Sequence, residues 1–190
     1  MSRPDKQVRT GEELKALTHP LRVRMLGALR EDGPATATEL ARRFKTDTGA
    51  TSYHLRKLAQ YGFVEEVASS GHPRARRWRA VHATTSWNNS EITATSEGRT
   101  AADWLRRQQA GILLSDVKAF EQAQATLPVE WVAAAGIGDL LVNLTPASVG
   151  ELWERFYSHL EELRAKDAGS VDARKVSIVV SAFPRVGERS

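Results

Sequence analysis

Cysteine is absent from the 190 residues, which excludes disulfides and thiolate metal sites. The five histidines, at positions 19, 54, 72, 82 and 159, have no metal-ligand spacing. No apolar run approaches the roughly 18 residues of a membrane span. The opening Met1-Ser-Arg-Pro-Asp-Lys-Gln has no apolar secretion-signal stretch, so a cytoplasmic protein without a membrane partner is expected. Nucleophile motifs, glycine-rich phosphate loops and paired-carboxylate spacings are also missing, which points away from an enzyme and implies no cofactor.

The charge that is present is unevenly placed. Residues 1–82 hold 16 Lys/Arg against 9 Asp/Glu, whereas residues 83–190 hold 11 against 14. A basic first part joined to a mildly acidic second part fits a polyanion-binding module attached to something else. A solvated basic surface with no partner is the competing reading. Arginine outnumbers lysine 20 to 7, which favours bidentate phosphate or guanine contacts.

Helix signals crowd the first 62 residues. Thr10 and Glu13 are spaced as a capping box for a short helix through Leu17. Pro20 stands at the start of a second helix, Leu21–Glu31, with Leu21, Met25, Ala28 and Leu29 inward and Arg22, Arg24 and Arg30 outward. Thr36 and Glu39 form another capping box, opening a third helix with Leu40 and Phe44 inward. Asp47 can cap a fourth, Thr48 to about Tyr61, which Gly62 ends. Phe63–Val67 and Ala75–Val81 then read as a hairpin around Ser69-Ser-Gly-His-Pro. Residues 1–9 are expected to fray, and His82–Ser96 to be a polar connection with a short strand at Glu91–Thr95.

The second part reads more coarsely. A long helix is expected from about Arg99 to Gln124. Asp139–Leu144 and Lys175–Phe183 look like strands flanking a helix that starts at Thr145-Pro146. Val149, Leu152, Trp153, Phe156, Leu160 and Leu163 line one face of that helix. About 30 residues between the strands suffice for a parallel crossover.

The fourth helix sorts its residues by face. Thr51, Leu55 and Leu58 recur at buried spacing, while Thr48, Gly49, Ser52, Tyr53, Arg56, Lys57 and Gln60 occupy the other arc. Hydroxyls near the N-terminus and cations further along suit base edges first and phosphates second. On the returning strand Arg77 and Arg79 share one face; Arg74, Arg76 and Trp78 share the other. Trp78 reads as a core anchor, and His72 at the tip as a further contact. Glu65 and Glu66 on the opposing strand could instead neutralise part of the arginine cluster.

Leu17-Thr-His-Pro-Leu-Arg-Val-Arg-Met-Leu, Thr38-Glu-Leu-Ala, Ser52-Tyr-His-Leu-Arg-Lys-Leu and Gly62-Phe-Val together resemble the ArsR-type winged helix-turn-helix transcriptional regulators. The likeness covers residues 12–82. It implies a homodimer with 48–61 in the DNA major groove and 68–79 as the wing, on the backbone or in the minor groove. Carried over, Thr48, Gly49, Ser52 and Tyr53 approach bases while Arg56 and the wing arginines hold phosphates; His54 reads as packed and hydrogen-bonded. Metal-sensing members use cysteines in the third helix or His/Asp/Glu sets after the wing. Here those helices offer only Glu39, and Asp103, Asp116 and Glu121, so metal sensing through those sites is not expected.

The expectation is therefore an α+β, mainly α chain. Residues 1–82 form a winged helix-turn-helix domain; residues 83–190 form a helical dimerisation region and a small strand–helix–strand unit. The expected DNA contacts are Thr48, Gly49, Thr51, Ser52, Tyr53, Arg56, Lys57, His72, Arg74, Arg76 and Arg77. Leu14, Leu17, Trp104, Leu105 and Ile112 are the expected dimer contacts. Trp104, Trp131 and Trp153 could line a pocket for a small organic effector, or be plain core. A repressor is expected rather than an activator; a protein-interaction module for an acidic partner is the alternative.

Overall fold

The computed structural model describes residues 6–67 and 76–187. The chain divides into two compact units, Met1–Ala110 and Gly111–Ser190. In the first, β1 (Lys6–Val8) leads into α1 (Gly11–Lys15) and α2 (Pro20–Glu31). After β2 (Ala35–Thr36) come α3 (Ala37–Phe44), α4 (Thr48–Gln60), β3 (Val64–Val67) and β4 (Arg77–Ala80). β5 (Thr85–Trp87), α5 (Asn89–Ile92) and the start of α6 (Ser96–Ala123) complete it. The α+β winged-helix architecture expected from the sequence is what forms.

The core follows from the helical apolar spacing. Leu14, Met25, Leu29, Leu55, Leu58, Phe63, Ala80, Ile92 and Ala102 are essentially inaccessible to water. β4 is the middle strand of an antiparallel sheet, with β2 on one edge and β3 on the other. Gly62, at φ +69°, turns the chain from α4 into β3, a conformation glycine adopts without the Cβ clash. Gly98 serves proximity instead: a Cβ there would lie 1.9 Å from the Ile92 carbonyl oxygen, so only glycine lets α6 start against α5.

Three expectations for this unit are corrected. Residues 6–8 are not frayed: they pair in parallel with Thr85–Trp87, and Val8 is buried. Glu91–Thr95 is no strand; Asn88 caps Ser90 and starts the single turn of α5. Arg22 and Arg30 do not simply face water. Arg30 bonds the carbonyls of His82 and Thr84 and the Thr85 hydroxyl at 3.1, 3.0 and 2.6 Å, fastening α2 to the stretch after β4.

In the second unit α6 continues to Ala123, followed by a 3₁₀ turn (Gln124–Thr126), α7 (Val129–Ala134) and α8 (Pro146–Lys166). Thr145 caps α8 through Ser148 N at 3.1 Å with Pro146 at the first helical position. The flanking segments, 139–144 and 175–183, carry no strand pairing. Their β propensity is real, but a strand exists only against a partner strand, and among the described residues neither 139–144 nor 176–183 is paired with one.

Candidate nucleic-acid interface

α3, the turn after it and α4 are locked by side-chain caps. Thr36 N donates to Glu39 Oε2 at 2.7 Å and Glu39 N to Thr36 Oγ1 at 3.1 Å, the reciprocal capping box. The bond from the Thr36 backbone holds the Glu39 carboxyl below the usual carboxylate range, with Arg77 and Arg42 adding to the effect. α3 ends at Lys45 in the left-handed conformation, φ 53°. Asp47 then accepts from Ala50 N at 2.7 Å and begins α4.

α4 lies with Thr51, His54, Leu55 and Leu58 inward. Thr48, Gly49, Tyr53 and Arg56 are exposed; Ser52 and Lys57 are half-buried on the same outward arc. Tyr53, 58% exposed, stands out in the first unit as a large side chain left in solvent without a core role. Lys57 bonds Gln60 Oε1 at 3.0 Å and lies 5.0 Å from the Tyr61 ring centroid. Thr51 leaves the predicted contact set. Its side chain is inaccessible and its hydroxyl donates to the Asp47 carbonyl at 2.9 Å, so its place in the buried stripe overrides its polarity.

The wing base is set by the register Glu65↔Arg79, Glu66↔Trp78 and Val67↔Arg77. Trp78 is 6% exposed and anchors the hairpin in the core as its alternation predicts. The arginines are not bare. Arg79 Nε sits 2.6 Å from Glu65, Arg76 Nη1 3.1 Å from Glu66, and Arg77 3.8 Å from Glu39 while also donating to the Pro34 carbonyl. The neutralising role weighed for Glu65 and Glu66 is thus realised. His72 and Arg74, the predicted tip contacts, lie outside the described residues.

Behind α4 is a cluster that sequence spacing did not announce. His19 Nδ1 accepts from Leu21 N at 3.1 Å and caps α2, and its ring centroid is 4.2 Å from that of His54. Arg22 bonds the carbonyls of Ala16 and Lys15, closing the end of α1, and reaches His54 Nδ1 at 3.5 Å. Burial first, then Arg22, holds His19 below its ordinary pKa; burial, then His19 and Arg22, does the same for His54. The signal in the sequence was the expected packing of His54; its partners lie 32 and 35 residues away and could not be read locally.

Of the predicted dimer contacts, Leu14, Leu17 and Leu105 fill the protomer's own core, so any part they play in an interface is indirect. Trp104 is half-buried and Ile112 is 44% exposed. Trp104 lines an open groove of about 410 Å³ with Lys15, Thr18, Thr100 and Ala101. In the second unit Trp153 stacks near Tyr157 at 6.3 Å, and Arg174 lies 5.9 Å from the Trp131 ring.

Residues 17–67 match the family described as "Helix-turn-helix domain". No curated protein matches the chain. Among solved structures, an ArsR family transcriptional regulator is 27% identical over 52% of this chain and 86% of its own, with a TM-score of 0.31. Reduced HlyU from Vibrio cholerae is 21% identical over 50% and 82%, with a TM-score of 0.32. Apo MarR from E. coli is 16% identical over 62% and 87%, with a TM-score of 0.35. These TM-scores are low, and none of the three matches the chain as a whole.

Proposed function

We propose that this chain, a member of the winged helix-turn-helix family, is a sequence-specific DNA-binding transcriptional regulator acting as a homodimer. α4 enters the major groove; Thr48, Gly49, Ser52 and Tyr53 address bases, and Arg56 and Lys57 address phosphates. The wing, with His72, Arg74, Arg76 and Arg77, lies on the backbone or in the minor groove. The observation that carries this reading is the face of α4: hydroxyls and cations turned out from a helix whose other side is anchored in the core. Residues 83–190 supply the dimer, with Trp104 and Ile112 the accessible members of the expected set, and the groove beside Trp104 is offered to a small organic effector. The protein works in the cytoplasm, by binding rather than catalysis. Repression is the simpler mode, since a seated dimer blocks its site without further contacts.

A second reading, a module for an acidic protein, draws on the wing: Arg76 and Arg79 already hold carboxylates. Selecting bound fragments from the protein's own genome and mapping protected bases separates the two. A palindromic motif with half-sites about one DNA turn apart is expected. Fragments with no enriched motif would overturn the DNA reading.

A further inference from the structure

The largest unexplained feature of the molecule is the apolar surface of its second unit. Among the described residues, every exposed large apolar side chain except Tyr53 lies between Ile112 and Val186. Among the described residues of Gly111–Ser190, none is buried. Monomeric proteins rarely leave many large apolar side chains exposed together, and such surface marks an interface.

Two stretches concentrate it. Leu140, Leu141, Val142 and Leu144 are between 51% and 91% exposed; Val176, Ile178, Val179, Val180 and Phe183 are between 37% and 67% exposed. Their apolar residues alternate onto both faces, the pattern of strands covered on both sides rather than of a half-wet edge. Among the described residues no backbone hydrogen bond holds 139–144 or 176–183. An apolar strand left unpaired is a template for another strand. Between them, α8 turns Leu152, Trp153, Phe156, Leu160 and Leu163 to one side, with Leu152 and Leu163 at least 40% exposed.

We propose that 139–144 and 176–183 are strands of an intermolecular sheet, each paired with the same segments of a second copy of this chain and covered by α8. The inference rests on the homodimer reading above and names where that dimer is made. Three observations choose the occupant. No charge lies between Val176 and Pro184, and Asp139 is alone between Trp131 and Gly150, so like can meet like without repulsion, and there is no charge code for a different partner. A unit without a buried residue cannot wait for an intermittent partner, and a second copy is present in equal amount by definition. The size also fits: the two stretches with the five apolar residues of α8 come to 19 residues, close to the roughly 20–30 that a stable interface takes from each partner.

Hydrogen exchange of the full-length protein, read with sedimentation at micromolar and nanomolar concentrations, tests this. The wild type should sediment as a dimer with slow exchange at 176–183, and dilution to monomer should release that protection. Val180→Pro, which removes a ladder donor, and Ile178→Asp should each raise the dimer dissociation constant at least about tenfold, with residues 6–110 still protected. A dimer whose 176–183 amides exchange freely would overturn the proposal, as would protection that persists in the monomer. The first result, alongside a palindromic genomic motif, leaves the regulator reading intact; a monomer on a single half-site sinks both.

Discussion

Replacing Glu65 and Glu66 with glutamine should tighten DNA binding, although neither residue is expected to touch DNA. Each carboxylate occupies a wing arginine, at 2.6 Å for Arg79 and 3.1 Å for Arg76, with all four side chains 43–74% exposed. Exposed pairs of this kind contribute about 0.2–1 kcal/mol each. An arginine must give up that pairing to take a phosphate, so removing both carboxylates relieves roughly 0.4–2 kcal/mol. Two fewer negative charges near a phosphate backbone add a further few tenths of a kcal/mol each at distances of about 8 Å in water, before salt screening. The gain is then between about twofold and several tens-fold. Fluorescence anisotropy on the selected site, from 50 to 200 mM salt as typical conditions, would read it. The slope of log affinity against log salt should steepen by up to about 0.9 for each freed arginine that engages a phosphate. Adding Arg76→Ala and Arg79→Ala should erase the gain. If the glutamine variant binds no better and its slope is unchanged, the wing base does not face DNA and the reasoning fails.

Arg56→Ala should weaken binding to all sequences alike and flatten the salt slope by about one, whereas Ser52→Ala should change the order of preferred sites; competition among selected fragments separates the two. Trp78→Ala removes the wing's anchor and should cost about 3–5 kcal/mol of stability in urea unfolding, with a loss below 1 kcal/mol contradicting its core role. Because burial and neighbouring cations hold His54 and His19 below the ordinary value of 6.5, the unfolded chain binds protons more readily in that window. Stability should be full above about pH 6.5 and fall as pH drops through the lower folded values. Urea midpoints from pH 5 to 8 should show a shallower fall in His54→Gln, and identical slopes would refute the coupling.

The elements legible in the sequence were those specified by neighbours. Thr36 with Glu39, Asp47, and Thr145-Pro146 each declare a helix start within four residues, and each cap forms as spaced. Trp78 was legible because strand alternation puts it on the face opposite Arg77 and Arg79. What escaped depends on distant partners. β1 is three residues whose only strand-like quality is the parallel match to Thr85–Trp87, 79 positions later in the register Lys6↔Thr85. Arg22 and Arg30 looked like solvated cations because the carbonyls they close lie in other segments. At the site itself, the sequence showed which residues α4 turns outward, but the assignment of Thr51 to both faces needed a structure to resolve. Strand propensity at 139–144 and 176–183 was readable; that the two segments leave each other unpaired was not.

The parallel match of β1 with β5 also says how the first unit could be moved between proteins. Because Lys6–Val8 is stitched to Thr85–Trp87, the portable cassette does not begin at the first helix or end with the hairpin. A fragment closed at residue 82 would strand Val8 without its neighbour and leave Arg30 without the Thr84 and Thr85 oxygens. The chain enters the unit beside Thr85–Trp87 but leaves it only beyond the buried Ile92, Ala102 and Leu105, so a fusion made just before Lys6 would be felt at β5.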